Sequence, residues 1–245
     1  MPKREVYLFD EHGSPWRDFL DEFLEDTASS LRFFDSASKA NREISSIRPE
    51  LVFLSSKFVS PALAQKLKVL RVTTPGARIF CVGGDSGASR GFDFDGSYGD
   101  PPEMKKFRKE LVHILPMPET IRLLVIDDEA EVGAMVKDFF EGRRAPAFEV
   151  SLAENGEKGL RALIDNPPDV ALLDIKMPVK DGREVYREIH RRGLKVPVII
   201  FFDAIFGDEI AEIHKVGRPA VVEKGSKESS PPELMNLVKK IVLFS

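Results

Sequence analysis

The chain is written twice, and that repeat restricts what it can fold into more than any other feature. Val6-Tyr-Leu-Phe9 is an apolar run ending in Asp10-Glu11, and Ile121-Arg-Leu-Leu-Val-Ile126 is another ending in Asp127-Asp128-Glu129. Apolar residues at helical spacing follow each run: Trp16, Phe19, Leu20, Phe23 and Leu24 in one copy, Val132, Met135, Val136, Phe139 and Phe140 in the other. Pro49-Glu-Leu-Val-Phe-Leu-Ser-Ser-Lys57 lines up with Pro168-Asp-Val-Ala-Leu-Leu-Asp-Ile-Lys176, and Ala77-Arg-Ile-Phe-Cys-Val82 with Val196-Pro-Val-Ile-Ile-Phe201. Both copies close on a Pro-Pro pair expected to open a last helix, Pro101-Pro102 and Pro231-Pro232. Leu115-Pro-Met-Pro-Glu119 reads as the joint, which gives expected domains at 1–116 and 119–245.

In the second copy, short apolar runs near 121–126, 148–152, 169–174, 196–202 and 219–223 alternate with helical spacing near 129–141, 156–165, 181–192, 207–216 and 231–243. Strand followed by helix five times predicts a parallel sheet covered on both faces. Working residues of such sheets gather at the C-terminal ends of the strands. Here those ends are Asp127-Asp128, Asp174, Phe202-Asp203 and Lys224.

Charge and composition exclude several classes of function. Residues 1–118 carry 17 Lys+Arg against 17 Asp+Glu, and residues 119–245 carry 19 against 23, so no segment has the uncompensated basic character of a nucleic-acid binder. Arg191-Arg192 and the cluster Lys105-Lys106-Arg108-Lys109 read as solvated helix faces. The longest apolar run, Val196 to Phe202, is too short to span a bilayer, so no membrane insertion is expected. One cysteine, Cys81, and no leader-like segment predict a cytoplasmic protein without disulfides.

Three carboxylates at the ends of two buried strands repel one another unless a cation sits among them. A hard divalent ion such as Mg²⁺ suits oxygen donors of this kind. A lysine at the end of the fifth strand can neutralise a phosphoryl oxygen. The competing reading, in which each Asp merely caps the next helix, serves for any one residue and poorly for the whole set.

With these residues in place, the second copy resembles the receiver domain of bacterial two-component response regulators. The resemblance is carried by Leu124-Val-Ile-Asp-Asp-Glu129, Ala153-Glu-Asn-Gly-Glu-Lys-Gly-Leu160, Asp169-Val-Ala-Leu-Leu-Asp-Ile-Lys-Met-Pro178 with Asp181-Gly182, Val196-Pro-Val-Ile199 and Lys224-Gly225. It implies a flavodoxin-like (βα)5 doubly wound fold, here expected twice, each copy with a five-stranded parallel sheet. It also implies that Asp174 accepts a phosphoryl group from a phosphohistidine. Asp127, Asp128, Asp174 and the backbone carbonyl of Lys176 would hold Mg²⁺, and Lys224 would contact the phosphoryl group. The implied partners are a sensor histidine kinase or phosphotransfer protein and a downstream protein, with a homodimer as a further candidate. No histidine of this chain sits as a phosphodonor: His113, His190 and His214 fall on expected helices, and His12 follows the first acidic pair.

The second copy departs from the family at its switch. The family places Ser or Thr at the end of the fourth strand. Here counting back from Lys224 lands on Phe202, and the alternative alignment lands on Asp203. An aspartate beside a phosphoryl group is repelled by about 4 kcal/mol per unit charge at ~4 Å and an effective dielectric of ~20. The usually aromatic position three residues before Lys224 is Val221. Both parts of the usual relay are therefore missing, and the expectation is a retained acidic pocket without the standard switch.

The first copy departs further. Its counterpart of Asp174 is Ser55, or Ser56 if the register slips, and its acidic pair is Asp10-Glu11. Gly83 to Pro102 spans 19 residues against 30 from Phe202 to Pro232, and Gly87–Gly99 reads as a flexible loop where the fourth helix and the lysine belong. A degenerate pseudo-receiver is expected at 1–116. With the last helix running to the end at Ser245, no output domain is expected, so function would lie in protein contacts. A phosphorylation-independent docking scaffold is the alternative. An enzyme is not expected: Asp93-Phe-Asp-Gly-Ser97 resembles the opening of haloacid-dehalogenase phosphatases, but no strand precedes it, and Cys81 reads as buried core.

Overall fold

A computed structural model describes residues 5–25, 27, 29–47, 49–84, 92, 94–115, 117–203 and 207–244. The chain divides into two compact units, residues 1–116 with 244–245, and residues 117–243.

The second unit runs β6 (Thr120–Ile126), α5 (Ala130–Glu141), β7 (Ala147–Ala153), α6 (Gly156–Asp165), β8 (Val170–Leu173), α7 (Gly182–Arg191), β9 (Val198–Phe202), α8 (Gly207–His214), β10 (Ala220–Glu223) and α9 (Pro231–Phe244). Its five-stranded sheet has the order β10-β9-β8-β6-β7 and all its pairings are parallel. Side chains on a strand alternate between faces, and the inner strands β6, β8 and β9 are buried on both, which is why they read as nearly continuous apolar runs. Ile121, Leu123 and Val125 pack with Val136 and Phe140 of α5 and Val238 and Ile241 of α9. Leu124 and Ile126 pack on the opposite side with Leu163 of α6 and Val185 and Ile189 of α7. Each such fully buried side chain contributes roughly 1.5–3 kcal/mol from water exclusion.

The first unit runs β1 (Glu5–Phe9), α1 (Pro15–Leu24), β2 (Ser30–Phe34), α2 (Ala37–Glu43), β3 (Leu51–Ser55), α3 (Pro61–Thr73), β4 (Arg78–Val82), β5 (Gly96–Tyr98) and α4 (Met104–Ile114). Its sheet order is β2-β1-β3-β4-β5, again with parallel pairings. The two sheets share one topology, so the α/β doubly wound architecture with five parallel strands is present twice.

Two details correct the sequence reading. Residues 96–98 form a strand, although Gly87–Gly99 reads as a loop; positions 87–91 and 93 lie outside the described residues. The strand is only three residues long and carries no periodic apolar signal, so tertiary contacts hold it. Asp95 accepts from the Ile79 amide at 2.7 Å and pairs with Arg71 at 2.8 Å, which pins the strand to its neighbour. Tyr98 packs against Trp16, Phe80 and Phe107. The second correction concerns the first copy's last helix, which starts at Met104: Pro101 and Pro102 precede it, whereas Pro231 does open α9.

Candidate functional site

The candidate site lies where β6, β8, β9 and β10 end. The Asp127 amide donates to the Ala153 carbonyl at 3.0 Å, the Asp174 amide to the Ile126 carbonyl at 2.9 Å and the Lys224 amide to the Phe202 carbonyl at 2.6 Å. Each acidic or basic residue is therefore fixed to the neighbouring strand by backbone before its side chain is considered. Gly182 is required at the start of α7, because any Cβ there would collide with the Asp174 carbonyl oxygen. That close approach lets the Gly182 amide donate to Ile175 at 2.9 Å and shapes the turn after Asp174.

The side chains converge on the Lys224 ammonium. Its Nζ lies 3.0 Å from Asp127 Oδ2, 3.1 Å from Glu129 Oε1, 3.2 Å from Asp174 Oδ1 and 3.5 Å from Asp203 Oδ2. The side chains of Lys224, Asp127 and Asp174 are 8%, 2% and 5% exposed, whereas those of Glu129 and Asp203 are 51% and 68% exposed. Four carboxylates thus surround one ammonium, a formal surplus of three negative charges. Burial pushes Asp174 up to about 6, with the Lys224 charge opposing and Asp127 adding to the rise. Burial also raises Asp127, against the Glu129 amide and Lys224. Burial by itself would lower Lys224, but Asp127, Asp174 and Glu129 outweigh it, so the ammonium is held charged above the usual lysine range.

The other expected residues lie around this cluster. Asp128 and Lys176 are exposed, Phe202 is buried at the end of β9, and Val221 on β10 packs partly buried against the sheet core. Asp127 Oδ1 accepts from the Glu129 amide at 3.0 Å, while Oδ2 is buried and meets the Lys224 ammonium as an ion pair at 3.0 Å without a hydrogen bond. Among the described residues, no three His, Cys, Asp or Glu side chains form a ready-made metal cage. The donor set nevertheless suits a hard cation: it is all oxygen, it is over-supplied with negative charge, and its buried Asp127 Oδ2 faces the Lys224 ammonium without a hydrogen bond. Glu129 and Asp203 as direct neighbours of Lys224 were not foreseen for that role. The signal for Glu129 was the unbroken acidic run 127–129, and for Asp203 its place directly after β9.

The pairing registers settle the counterparts in the first unit. Phe9 pairs Leu54 as Ile126 pairs Leu173, so Ser55 and not Ser56 stands where Asp174 stands. Carried across β4 and β5, the same register puts Gly83 at Phe202, Gly84 at Asp203 and Asp100 at Lys224. Asp10 is buried with both carboxylate oxygens bonded, to the Glu11 amide and the Ser14 hydroxyl. Glu11 pairs with Lys57 at 2.6 Å on the surface.

The remaining candidates have structural roles or fall outside the described residues. Asp93 is outside them, and Asp95 is the strand clamp described above. Cys81 is buried in β4 and its thiol is pushed up by burial, so it is a poor nucleophile. Arg191 and Arg192 both pair with Glu188 on the surface of α7. His113 and His214 are exposed, His12 pairs with Asp35 at 2.9 Å, and His190 rests edge-on against Tyr186. Among the described residues, no helix is long and apolar enough to cross a membrane.

Residues 123–239 match the family model of the response regulator receiver domain. The chain is similar to the transcriptional regulatory protein BaeR of Escherichia coli O6:H1, with 31% identity over 134 residues, 52% of this chain and 51% of that one. It is also similar to RprY of Bacteroides fragilis, with 25% identity over 45% of this chain and 46% of that one. PrrA of Mycobacterium tuberculosis matches at 39% over 79 residues, 32% of this chain and 33% of that one. The chain thus spans about half or less of the length of these curated relatives. Similar solved structures include the Francisella response regulator 1452 receiver domain (24% identity, 50% of this chain, 96% of that one, TM-score 0.44). A CheY-like receiver domain from Methanospirillum hungatei JF-1 is another (22% identity, 50% and 94%, TM-score 0.46). The second unit carries a receiver domain homologous to those of two-component regulators.

Proposed function

We propose that the second unit accepts a phosphoryl group on Asp174 from the phosphohistidine of a sensor histidine kinase or phosphotransfer protein. It passes the resulting state on through contacts with a downstream protein. The observation that carries this reading is the buried pair Asp174–Lys224 at 3.2 Å, set at the ends of β8 and β10 with Asp127 beside it. In the transfer, an Asp174 carboxylate oxygen bonds to phosphorus while the P–N bond to the donor imidazole breaks, and the imidazole leaves with that electron pair. Such a transfer asks the protein for position and charge neutralisation more than for covalent chemistry. The raised Asp174 still ionises below neutral pH, so the nucleophile is a carboxylate at pH 7. Lys224 offsets charge on the phosphoryl oxygens. Asp127, Asp128, Asp174 and the Lys176 carbonyl would hold Mg²⁺, which supplies further neutralisation of the transferred group.

The first unit is, in this reading, a degenerate pseudo-receiver and a recognition surface. Ser55 cannot form an acyl phosphate, and Asp100 cannot replace Lys224. The alternative for the whole chain is a docking scaffold independent of phosphorylation, favoured by Phe202, Asp203 and Val221 at the switch positions. Intact mass after incubation with acetyl phosphate and Mg²⁺ separates the two. One added phosphoryl group, absent in Asp174→Ala, supports the acceptor; no adduct under conditions that label a control receiver supports the scaffold.

A further inference from the structure

Lys224 is reached from two sides. Asp127 and Asp174 meet it from the interior, with side chains 2% and 5% exposed. Glu129 and Asp203 meet it from solvent, 51% and 68% exposed, with Oε1 3.1 Å and Oδ2 3.5 Å from Nζ. Backbone geometry brings the Asp203 backbone next to Lys224 and leaves its side chain free to turn. The Lys224 amide donates to the carbonyl of Phe202, and Asp203 is the next residue. An anion arriving from solvent therefore meets Lys224 on a side that already holds a carboxylate. The first unit has Gly84 at the equivalent place and no lysine opposite it.

We propose that Asp203 is an in-chain competitor for Lys224: its carboxylate shares the solvent-facing side of the ammonium with Glu129, and a phosphoryl group reaches Lys224 from the β9 side only when the Asp203 side chain has moved off. Asp203 acts here as a positioning residue, and the inference rests on Asp174 being the acceptor. Two effects of one charge add. Asp203 removes the positive partner the phosphoryl oxygens need, and it repels them directly. The pocket then favours a cation over a phosphoryl donor, and Asp203 slows labelling of the native chain by a small donor.

The test is the rate of adduct formation by intact mass, with acetyl phosphate and fixed Mg²⁺, on the full chain. Wild type is compared with Asp203→Asn, Asp203→Ser, Asp203→Glu and Asp174→Ala at low and high NaCl. Asp203→Asn and Asp203→Ser are expected to label roughly tenfold faster, which corresponds to about 1.4 kcal/mol in the barrier. Asp203→Glu keeps the charge and stays slow. Salt screens the exposed Asp203 carboxylate, so NaCl accelerates wild type more than it accelerates Asp203→Asn. A side-chain ¹⁵N spectrum taken without any donor adds a second readout, in which the Lys224 ammonium resonance moves in Asp203→Asn. Equal or slower labelling of Asp203→Asn and Asp203→Ser, with Asp174→Ala blank, overturns the competitor and leaves the acceptor standing. No labelling of any variant beside a labelled control receiver overturns both.

Discussion

In register, Ser55 of the first unit stands where Asp174 stands in the second, Asp100 where Lys224 stands, and Lys57 where Lys176 stands. The frames beneath them match: five parallel strands in the same order, with the inner strands buried. The electrostatics do not match. Asp10 has both carboxylate oxygens hydrogen-bonded and ends as a turn-forming residue, whereas Asp127 keeps a buried oxygen without a hydrogen bond beside a second buried carboxylate. Among the described residues, the only close ion pair at the first unit's acidic pair, Glu11–Lys57, is more than half exposed on both sides, whereas the Lys224 cluster is buried at its centre. The lesson is that one doubly wound frame tolerates either a resolved or a strained set of charges at its strand ends. Only the second unit's set leaves buried charge for an incoming ion to neutralise.

The contrast can be broken most directly by transplanting the acceptor. Asp174→Ala is expected to abolish the phosphoryl adduct completely, while Ser55→Asp creates none in the first unit, because Asp100 stands where the lysine is needed. An adduct on Ser55→Asp, located by peptide mass, would falsify the view that the lysine position decides.

Next in size is the effect of removing each unit's cation. Lys224→Met leaves Asp127 and Asp174 buried without their counter-charge and is expected to cost about 3 kcal/mol or more in urea unfolding at pH 7. Lys57→Met breaks an exposed pair and is expected to cost under ~1 kcal/mol. Similar losses for both would show that the two sets of charges are energetically alike.

A pH series in EDTA sharpens the same difference. Asp174 titrates at about 6 in the folded chain and near the ordinary carboxylate value of ~3.9 when unfolded. Between those values the folded state holds the proton more tightly, so stability falls as pH rises through the window and levels off above it. Lys224, raised, stays charged throughout. The expected loss is on the order of 1–3 kcal/mol, and Asp174→Asn removes the slope. A flat wild-type profile, or an unchanged slope in Asp174→Asn, contradicts the raised acceptor.

The smallest effect concerns backbone strain beside the site. Val179 is 77% exposed and holds φ 71°, a left-handed conformation that a β-branched residue rarely adopts. Among the described residues, the first unit's positive-φ positions are glycines, Gly13 and Gly83. Val179→Gly is expected to raise stability by about 0.5–1 kcal/mol in thermal unfolding, since it relieves strain and loses little burial. A drop in stability would mean that the Val179 side chain has contacts worth more than its strain.

Most of the frame was legible in the residues alone. The elements of the second unit fall within a few residues of the apolar spacing, because burial on both sheet faces and on one helix stripe is written along each element. Asp127, Asp174 and Lys224 were legible for the same reason, being the first polar residues after buried strands. β5 was not, since three residues carry no period and Asp95, Arg71 and Tyr98 hold it from a distance.

The repeat, the alternation of strand and helix and the identity of the buried charges were thus determined by the linear order of residues. Which of Ser55 and Ser56 matches Asp174, that Asp100 stands in the lysine's place, and that Glu129 and Asp203 both turn to Lys224 while Asp128 stays exposed were decided in three dimensions. Those facts depend on the pairing of strands far apart in the chain and on side chains meeting across loops, and neither leaves a local signature in sequence.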